Sequence, residues 1–145
     1  MLSQIQLISR KFLDIELHPQ STQGKENGFE TSHMIVVLQD EDDPALWRTK
    51  FGIRIENIDD DQPAPYLGEI TIAGTFKLDE EFPKEKAEQM VYLNSGAILY
   101  GAIRELVLSL TSQCVHGELI LPAIDARIFL PETEKEKVQS VTVNE

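Results

Sequence analysis

Apolar residues in this chain first alternate and later recur at helical spacing. In "WRTKFGIRI" the odd positions Trp47, Phe51, Ile53 and Ile55 are apolar, with Thr49 between them, while Arg48, Lys50 and Arg54 hold even positions. In "YLGEITIAGTFKL" Tyr66, Ile70, Ile72, Phe76 and Leu78 fall on one face, and Glu69, Thr71, Thr75 and Lys77 on the other. Period-two alternation over this length predicts two half-buried antiparallel strands, each with one wet face. The intervening "NIDDDQPAP" is polar and proline-rich, and is read as a turn.

Two earlier stretches also predict strands. In "QIQLISRKFLDIELHP" the groups Ile5 and Leu7, then Leu13, Ile15 and Leu17, alternate, with Ile8 and Phe12 interrupting. One long strand with a bulge or bend near Ser9–Lys11 accounts for this. "SHMIVVLQD" is apolar on both faces, which predicts a strand covered on two sides. Polar "QSTQGKENG" and acidic "DEDDPA" serve as the connections, and the four strands in succession are expected to form an antiparallel meander.

After Asp79 the period changes. Pro83 suits the first turn of a helix, and "EEFPKEKAEQMVYL" has helical composition. Asn94 and Ser95 are expected to cap a second helix or mark a kink, with Gly96 loosening the junction. Around a helix from Asn94 to Gln113, Leu99, Ala102, Ile103, Leu106, Val107, Leu110 and Cys114 form one broad apolar arc bordered by Tyr100. Arg104, Glu105, Ser109 and Ser112 lie opposite, where Ile98 and Leu108 breach the polar side. Such a breach suggests a contact with another subunit, and scattered surface apolar residues that need no partner are the other reading. Gly117, Pro122 and Pro131 rule out a further long helix. The fold class expected is α+β: a four-stranded antiparallel meander sheet backed by a long C-terminal helix. Residues 1–131 form one domain and 132–145 a polar tail, in which "VTV" is a candidate short strand.

Composition narrows the partners. The 145 residues carry 25 acidic and 13 basic side chains, a formal net charge of -12. That charge argues against nucleic acid or an anionic membrane as partner and favours solubility, or docking onto a basic surface of another protein. One cysteine permits no intrachain disulfide and fits a reducing compartment. The first residues lack the features of a signal peptide, and no apolar run reaches the ~18 residues of a membrane span, so a cytoplasmic protein without membrane insertion is expected.

The chemistry-bearing residues do not assemble into a catalytic pattern. His18, His33 and His116 are far apart, without metal-ligand spacing, and are read as surface or loop residues, so no metal is expected. Asp59, Asp60 and Asp61 lack calcium-loop spacing. Cys114 near His116 has no oxyanion loop beside it and is read as a packed thiol at a helix end. No phosphate-binding glycine loop or nucleophile elbow occurs, and the two glycines of "GEITIAG" suit close packing in a strand. Asp14 and Glu16 share one side of a strand with nothing catalytic arranged around them. Neither an enzyme nor a cofactor is expected.

"NSGAILYGAIRELVLSLTSQCVHGELILPAIDAR" resembles the C-terminal half of the SecB-type protein-export chaperones, in which an Asn precedes an "ILFPYAREL"-like helix, then a short loop and a "LNLPPVNF"-like segment. The matching residues are Asn94, Ile98, Leu99, Tyr100, Ala102, Arg104, Glu105 and Leu106, then Leu119, Leu121, Pro122 and Ile124. "QIQLISRKFLDIEL" resembles the family's first strand and "GEITIAGTFKL" its fourth. The resemblance covers roughly residues 3–126. It implies an ATP-independent holdase for unfolded or extended polypeptides, in a dimer of dimers built partly through the helix.

Client-binding candidates under that resemblance are Trp47, Phe51, Tyr66 and Phe76 on the sheet and Leu119, Ile120 and Leu121 in the loop. For the sheet residues, ordinary core beneath the helix is at least an equal reading. The resemblance places a carboxylate for docking on the translocation ATPase SecA at Glu16, with Asp14 nearby. Ile98, Tyr100 and Leu108 are the candidate oligomer contacts. Two features depart from the family: Gly101 stands where its helix has proline, and its second C-terminal helix is not evident. The alternative is a SecB-fold assembly module, or an antitoxin-specific chaperone, binding one dedicated partner. A small-ligand enzyme is the remote third option.

Overall fold

The computed structural model describes residues 3–22 and 28–131. The tail 132–145, with its candidate "VTV" strand, and most of the 20–28 loop lie outside the described residues. Four strands follow the alternating stretches: β1 (Ile5–Pro19), β2 (Glu30–Gln39), β3 (Leu46–Glu56) and β4 (Tyr66–Leu78). One helix, α1 (Lys84–Thr111), and a short 3-10 turn, η1 (Ala126–Phe129), complete the fold.

The sheet is four-stranded, antiparallel and backed by the long helix, as expected, but its order is β1-β4-β3-β2. Only β2, β3 and β4 form a meander; β1 sits beside β4 at the far edge, which makes the arrangement a Greek key. Local alternation fixes each strand's faces and carries no information about which neighbour it pairs with. The crossover leaving β1 is anchored at its start. Gln20 donates its side-chain amide to Asn57 Oδ1 at 2.7 Å and its backbone N–H to the Pro65 carbonyl at 2.9 Å.

β3 and β4 behave as their alternation predicts, except that Thr71, expected on the wet face of β4, is buried too. Trp47 pairs with Phe76, Phe51 with Ile72 and Ile53 with Ile70, and all six are buried under the helix. Thr49 faces the same way and is buried too; its Oγ1 donates to Ser95 Oγ of α1 at 2.8 Å. β1 carries register shifts between Leu7 and Ser9 and between Phe12 and Asp14, so two irregularities flank the single bend expected near Ser9–Lys11.

α1 runs unbroken for 28 residues, about 42 Å. The expected kink or second cap at Asn94–Gly96 does not occur. Asn94 donates to the Met90 carbonyl one turn back, Ser95 faces Thr49, and Gly96 lets the Phe129 ring approach. A Cβ on Gly96 would stand 2.5 Å from Phe129 Cδ2, so this glycine marks a close contact and no helix end. "NSG" reads as a capping signal locally, and tertiary packing overrides that preference.

The buried side of α1 is Val91, Ser95, Gly96, Leu99, Tyr100, Ile103, Val107 and Thr111. It is turned relative to the expected arc: Leu110 is exposed, while Tyr100 and Thr111 are buried. The helix packs chiefly over β3 and β4, and then β2. β1 lies beyond that footprint, leaving Leu7 and Ile15 exposed although they stand opposite Phe76 and Ile70 of the core face.

Candidate functional site

After α1 the chain crosses back over the helix, tied at each step. Thr111 Oγ1 donates to the Val107 carbonyl and accepts the Leu119 N–H at 2.8 Å, holding the loop against the helix end. Tyr66 Oη donates to the Gly117 carbonyl and accepts the His116 N–H. Arg104 Nε donates to the Leu121 carbonyl at 3.0 Å, and Tyr100 Oη donates to the Pro122 carbonyl. Burial raises the Tyr100 phenol's pKa and the Arg104 charge opposes it; the balance stays upward, keeping the hydroxyl a donor. Arg104 is thus a clamp on the crossover segment, a role its place on the polar side of the helix does not signal.

The tethering decides what "LILP" offers. Leu119 and Leu121 point into the core and are buried, whereas Ile120 between them is 62% exposed. On the sheet, Phe51, Phe76, Tyr66 and Trp47 are core residues too. Of the seven client-binding candidates, only Ile120 presents a surface as the chain stands. Of the oligomer candidates, Ile98 is exposed and Leu108 half-buried on the outer side of α1, while Tyr100 is buried and committed to Pro122. Asp14 and Glu16 are exposed on one face of β1, opposite Thr71 and Glu69.

The crossover segment also builds a groove that the sequence pattern does not announce. η1 starts at Asp125, whose carboxylate caps it by accepting the Arg127 N–H at 3.0 Å, and Phe129 is laid between helix and sheet. Phe129 meets Phe51 edge-on at 5.0 Å and His33 edge-on at 5.2 Å. His33 also stacks on Phe51 at 6.3 Å, so this exposed histidine belongs to an aromatic cluster. Beside it, His33, Ile35, Tyr92, Ile128, Phe129, Leu130 and Pro131 line a groove of about 290 Å³. Ile35 and Phe129 carry the only anticipatory signal: an apolar edge strand, and an aromatic in a segment too proline-rich for a helix.

The groove opens along β2, which is an edge strand. The apolar pattern of β2 predicts cover on both sides, and the strand does not have it. Met34, Val36 and Leu38 face away from the helix and are exposed, Leu38 by 65%. On β1, Ile8 and Leu13, at the two register shifts, are each 56% exposed. Both edges therefore combine unpaired backbone with uncovered apolar side chains, the two properties that an extended polypeptide recognises. Among the described residues, no helix is long and apolar enough to cross a membrane.

No protein-family model matches the chain. A protein-export protein SecB from Anaplasma phagocytophilum is 31% identical over 83 residues, covering 56% of this chain and 52% of the relative. The chain thus matches about half the length of that curated relative. Among solved structures, a SecB-like chaperone of Mycobacterium tuberculosis, in complex with a ChAD peptide from the HigA1 antitoxin, superposes with a TM-score of 0.60. That superposition covers 83% of this chain and 91% of the other at 17% identity, and so speaks to the fold. Over its matched half the chain is thus similar in sequence to a SecB protein, and over most of its length it shares the fold of a SecB-like chaperone.

Proposed function

We propose that the protein is an ATP-independent holdase that binds unfolded or extended polypeptide segments. The observation that carries this reading is the uncovered apolar surface on both edge strands, next to an aromatic groove and an open backbone edge. An extended client pairs its backbone with β2 and lays alternate side chains over Ile35 and into the groove beside Phe129 and Tyr92. Ile120, projecting from a rigidly tied loop, extends the contact surface. Phe51, Phe76, Tyr66, Leu119 and Leu121 support it from beneath, and Trp47 lies at the other end of the sheet.

Outer residues Ile98 and Leu108 of α1, together with the edge of β1, are the surfaces through which copies assemble into a dimer of dimers. Asp14 and Glu16 are the carboxylates offered to SecA, should the protein act in export in the cytoplasm. The antitoxin peptide bound to the mycobacterial chaperone favours a second reading, a chaperone for one dedicated partner.

Purified protein is expected to suppress aggregation of a denatured client and to scatter light as a tetramer. A strict monomer without suppression at any molar ratio overturns the holdase. Native pull-down separates the two readings: many unrelated unfolded chains support the general holdase, and one stoichiometric partner the dedicated one.

A further inference from the structure

A second cleft, about 590 Å³, lies at the end of the sheet where β3 begins and β4 runs into α1. Ligand pockets commonly measure about 300–1,000 Å³. Backbone and side-chain bonds fix its walls: the Ala45 carbonyl accepts the Leu78 N–H at 2.8 Å, and Gln39 Nε2 donates to the Pro44 carbonyl at 2.7 Å. Ala45, Leu78, Phe82 and Ala87 give it an apolar lining. Around that lining stand the carboxylates of Asp43, Asp79, Glu80 and Glu88, against one ammonium, Lys84. None of the ion pairs among the described residues engages any of these five groups. Asp43 and Asp79 each use one oxygen to accept a nearby backbone N–H at 3.0 Å.

The cleft offers donors as well. Trp47 lines it; the side chain is 6% exposed, and its buried indole N–H has no acceptor among the described residues. A buried donor without an acceptor is rare enough in folded proteins to call for a partner. α1 also opens here, at Lys84, without a side-chain cap for the N–H groups of its first turn. A bare cation would satisfy the carboxylates and leave these donors idle. Nor could any cluster of His, Cys, Asp and Glu among the described residues hold a metal ion. The fitting ligand carries an ammonium and a carbonyl close together, with an apolar group for the lining. The first residue of a polypeptide is such a unit, because a single carbon separates its α-ammonium from its carbonyl. A lysine side chain instead holds its charge at the end of a flexible stem, away from its own carbonyl.

We propose that this cleft binds the free N-terminal residue of another polypeptide. The α-ammonium is held among the four carboxylates, the first carbonyl accepts the Trp47 indole N–H, and the first side chain lies against the apolar lining. The cleft shares no lining residue with the groove at Phe129. The proposal does not rest on the holdase reading, because its test reads Trp47 directly.

Trp47 is the chain's single tryptophan, so its fluorescence reports on this cleft alone. The full chain is titrated with three peptides: Leu-Ala-Ala amide with a free amine, the same peptide N-acetylated, and N-acetyl-Lys-Ala-Ala amide. The free-amine peptide is expected to change the Trp47 emission saturably and to shield it from acrylamide, and the two acetylated peptides to do neither. Above about pH 8, the ordinary α-amino value, its affinity should fall about tenfold per pH unit. The double variant E80Q/E88Q should bind it roughly tenfold more weakly, the scale of one charge-assisted hydrogen bond. Both side chains are exposed, and an unchanged denaturation midpoint checks that the variant is folded. Equal responses to the free and acetylated leucine peptides overturn the proposal, as does no response to any of the three. An equal response to the acetylated lysine peptide also overturns it, by assigning the cleft to basic side chains. Unchanged affinity in the double variant overturns it as well.

Discussion

The central and edge strands of the sheet are built from the same residue types and end in opposite environments. β3 and β4 alternate cleanly, and their apolar side chains are sealed beneath α1. β2 is apolar on both faces, β1 is interrupted twice, and Met34, Val36, Leu38, Ile8 and Leu13 remain in contact with water. Clean alternation belongs to a strand whose one partner layer lies in the same chain. Apolar residues on both sides of an edge strand leave a surface that the described residues of this chain do not cover. The difference teaches where the core ends, and under the holdase reading it is at these edges that a client would dock.

The sharpest way to break this comparison is to make a central residue behave like an edge residue. Phe51 touches His33, Tyr100 and Phe129 and joins sheet, helix and crossover segment. Phe51→Ala is expected to cost about 3–5 kcal/mol, read as a lowered denaturation midpoint. Next in size is the buried hydroxyl pair. Thr49→Val leaves Ser95 without its donor and should cost about 1–3 kcal/mol, whereas Thr49→Val with Ser95→Ala together should be close to neutral. With Ser95→Ala alone completing the cycle, a double-variant loss equal to the sum of the two single losses would show that the pair contributes no coupling.

Legibility in the sequence follows the same division. β3 and β4 are readable because period two and burial coincide there, and α1 because its composition and length agree. Three things are not readable. The place of β1 beside β4 depends on a crossover that no local pattern encodes. The continuity of α1 through Asn94–Gly96 depends on Thr49 and Phe129, which are distant in sequence. The groove at His33 exists only because Arg104, Tyr100 and Thr111 tie down the crossover segment, and polar clamps leave no periodic trace. Client-binding candidates chosen for being large and apolar therefore fall mainly in the core, and of these only Ile120 falls on the surface.

Smaller effects test the outer surfaces. A Cβ on Gly101 meets nothing within 4 Å, so Gly101→Ala should stabilise the single chain by up to about 1 kcal/mol through helix propensity. If Ile98 and Leu108 mark a contact between copies, Gly101→Leu leaves the fold intact and lowers the mass seen by light scattering. Leu38→Ser and Ile120→Ser, at exposed positions, should each change stability by less than about 0.5 kcal/mol. Both should nevertheless weaken suppression of client aggregation. Stability losses comparable to that of Phe51→Ala would mean that these edges are core after all.

The smallest effect expected is a local one with acid, and it separates the tied groove from the sheet. Arg127's guanidinium, and then its backbone N–H, hold the exposed Asp125 carboxyl down at about 2, from an ordinary 3.8. Because the folded value is depressed, whatever this group contributes is present above the ordinary value and is lost as pH falls from about 3.8 towards about 2. Arg127 is pushed upward by the same pairing and stays charged throughout. The Arg127 amide resonance should therefore titrate with a midpoint near 2. Asp125→Asn, which keeps a capping oxygen but no charge, should abolish that titration and leave η1 formed. A midpoint at the ordinary carboxylate value would break the link between the ion pair and the groove wall, leaving Phe129 and its ring contacts to hold η1 alone.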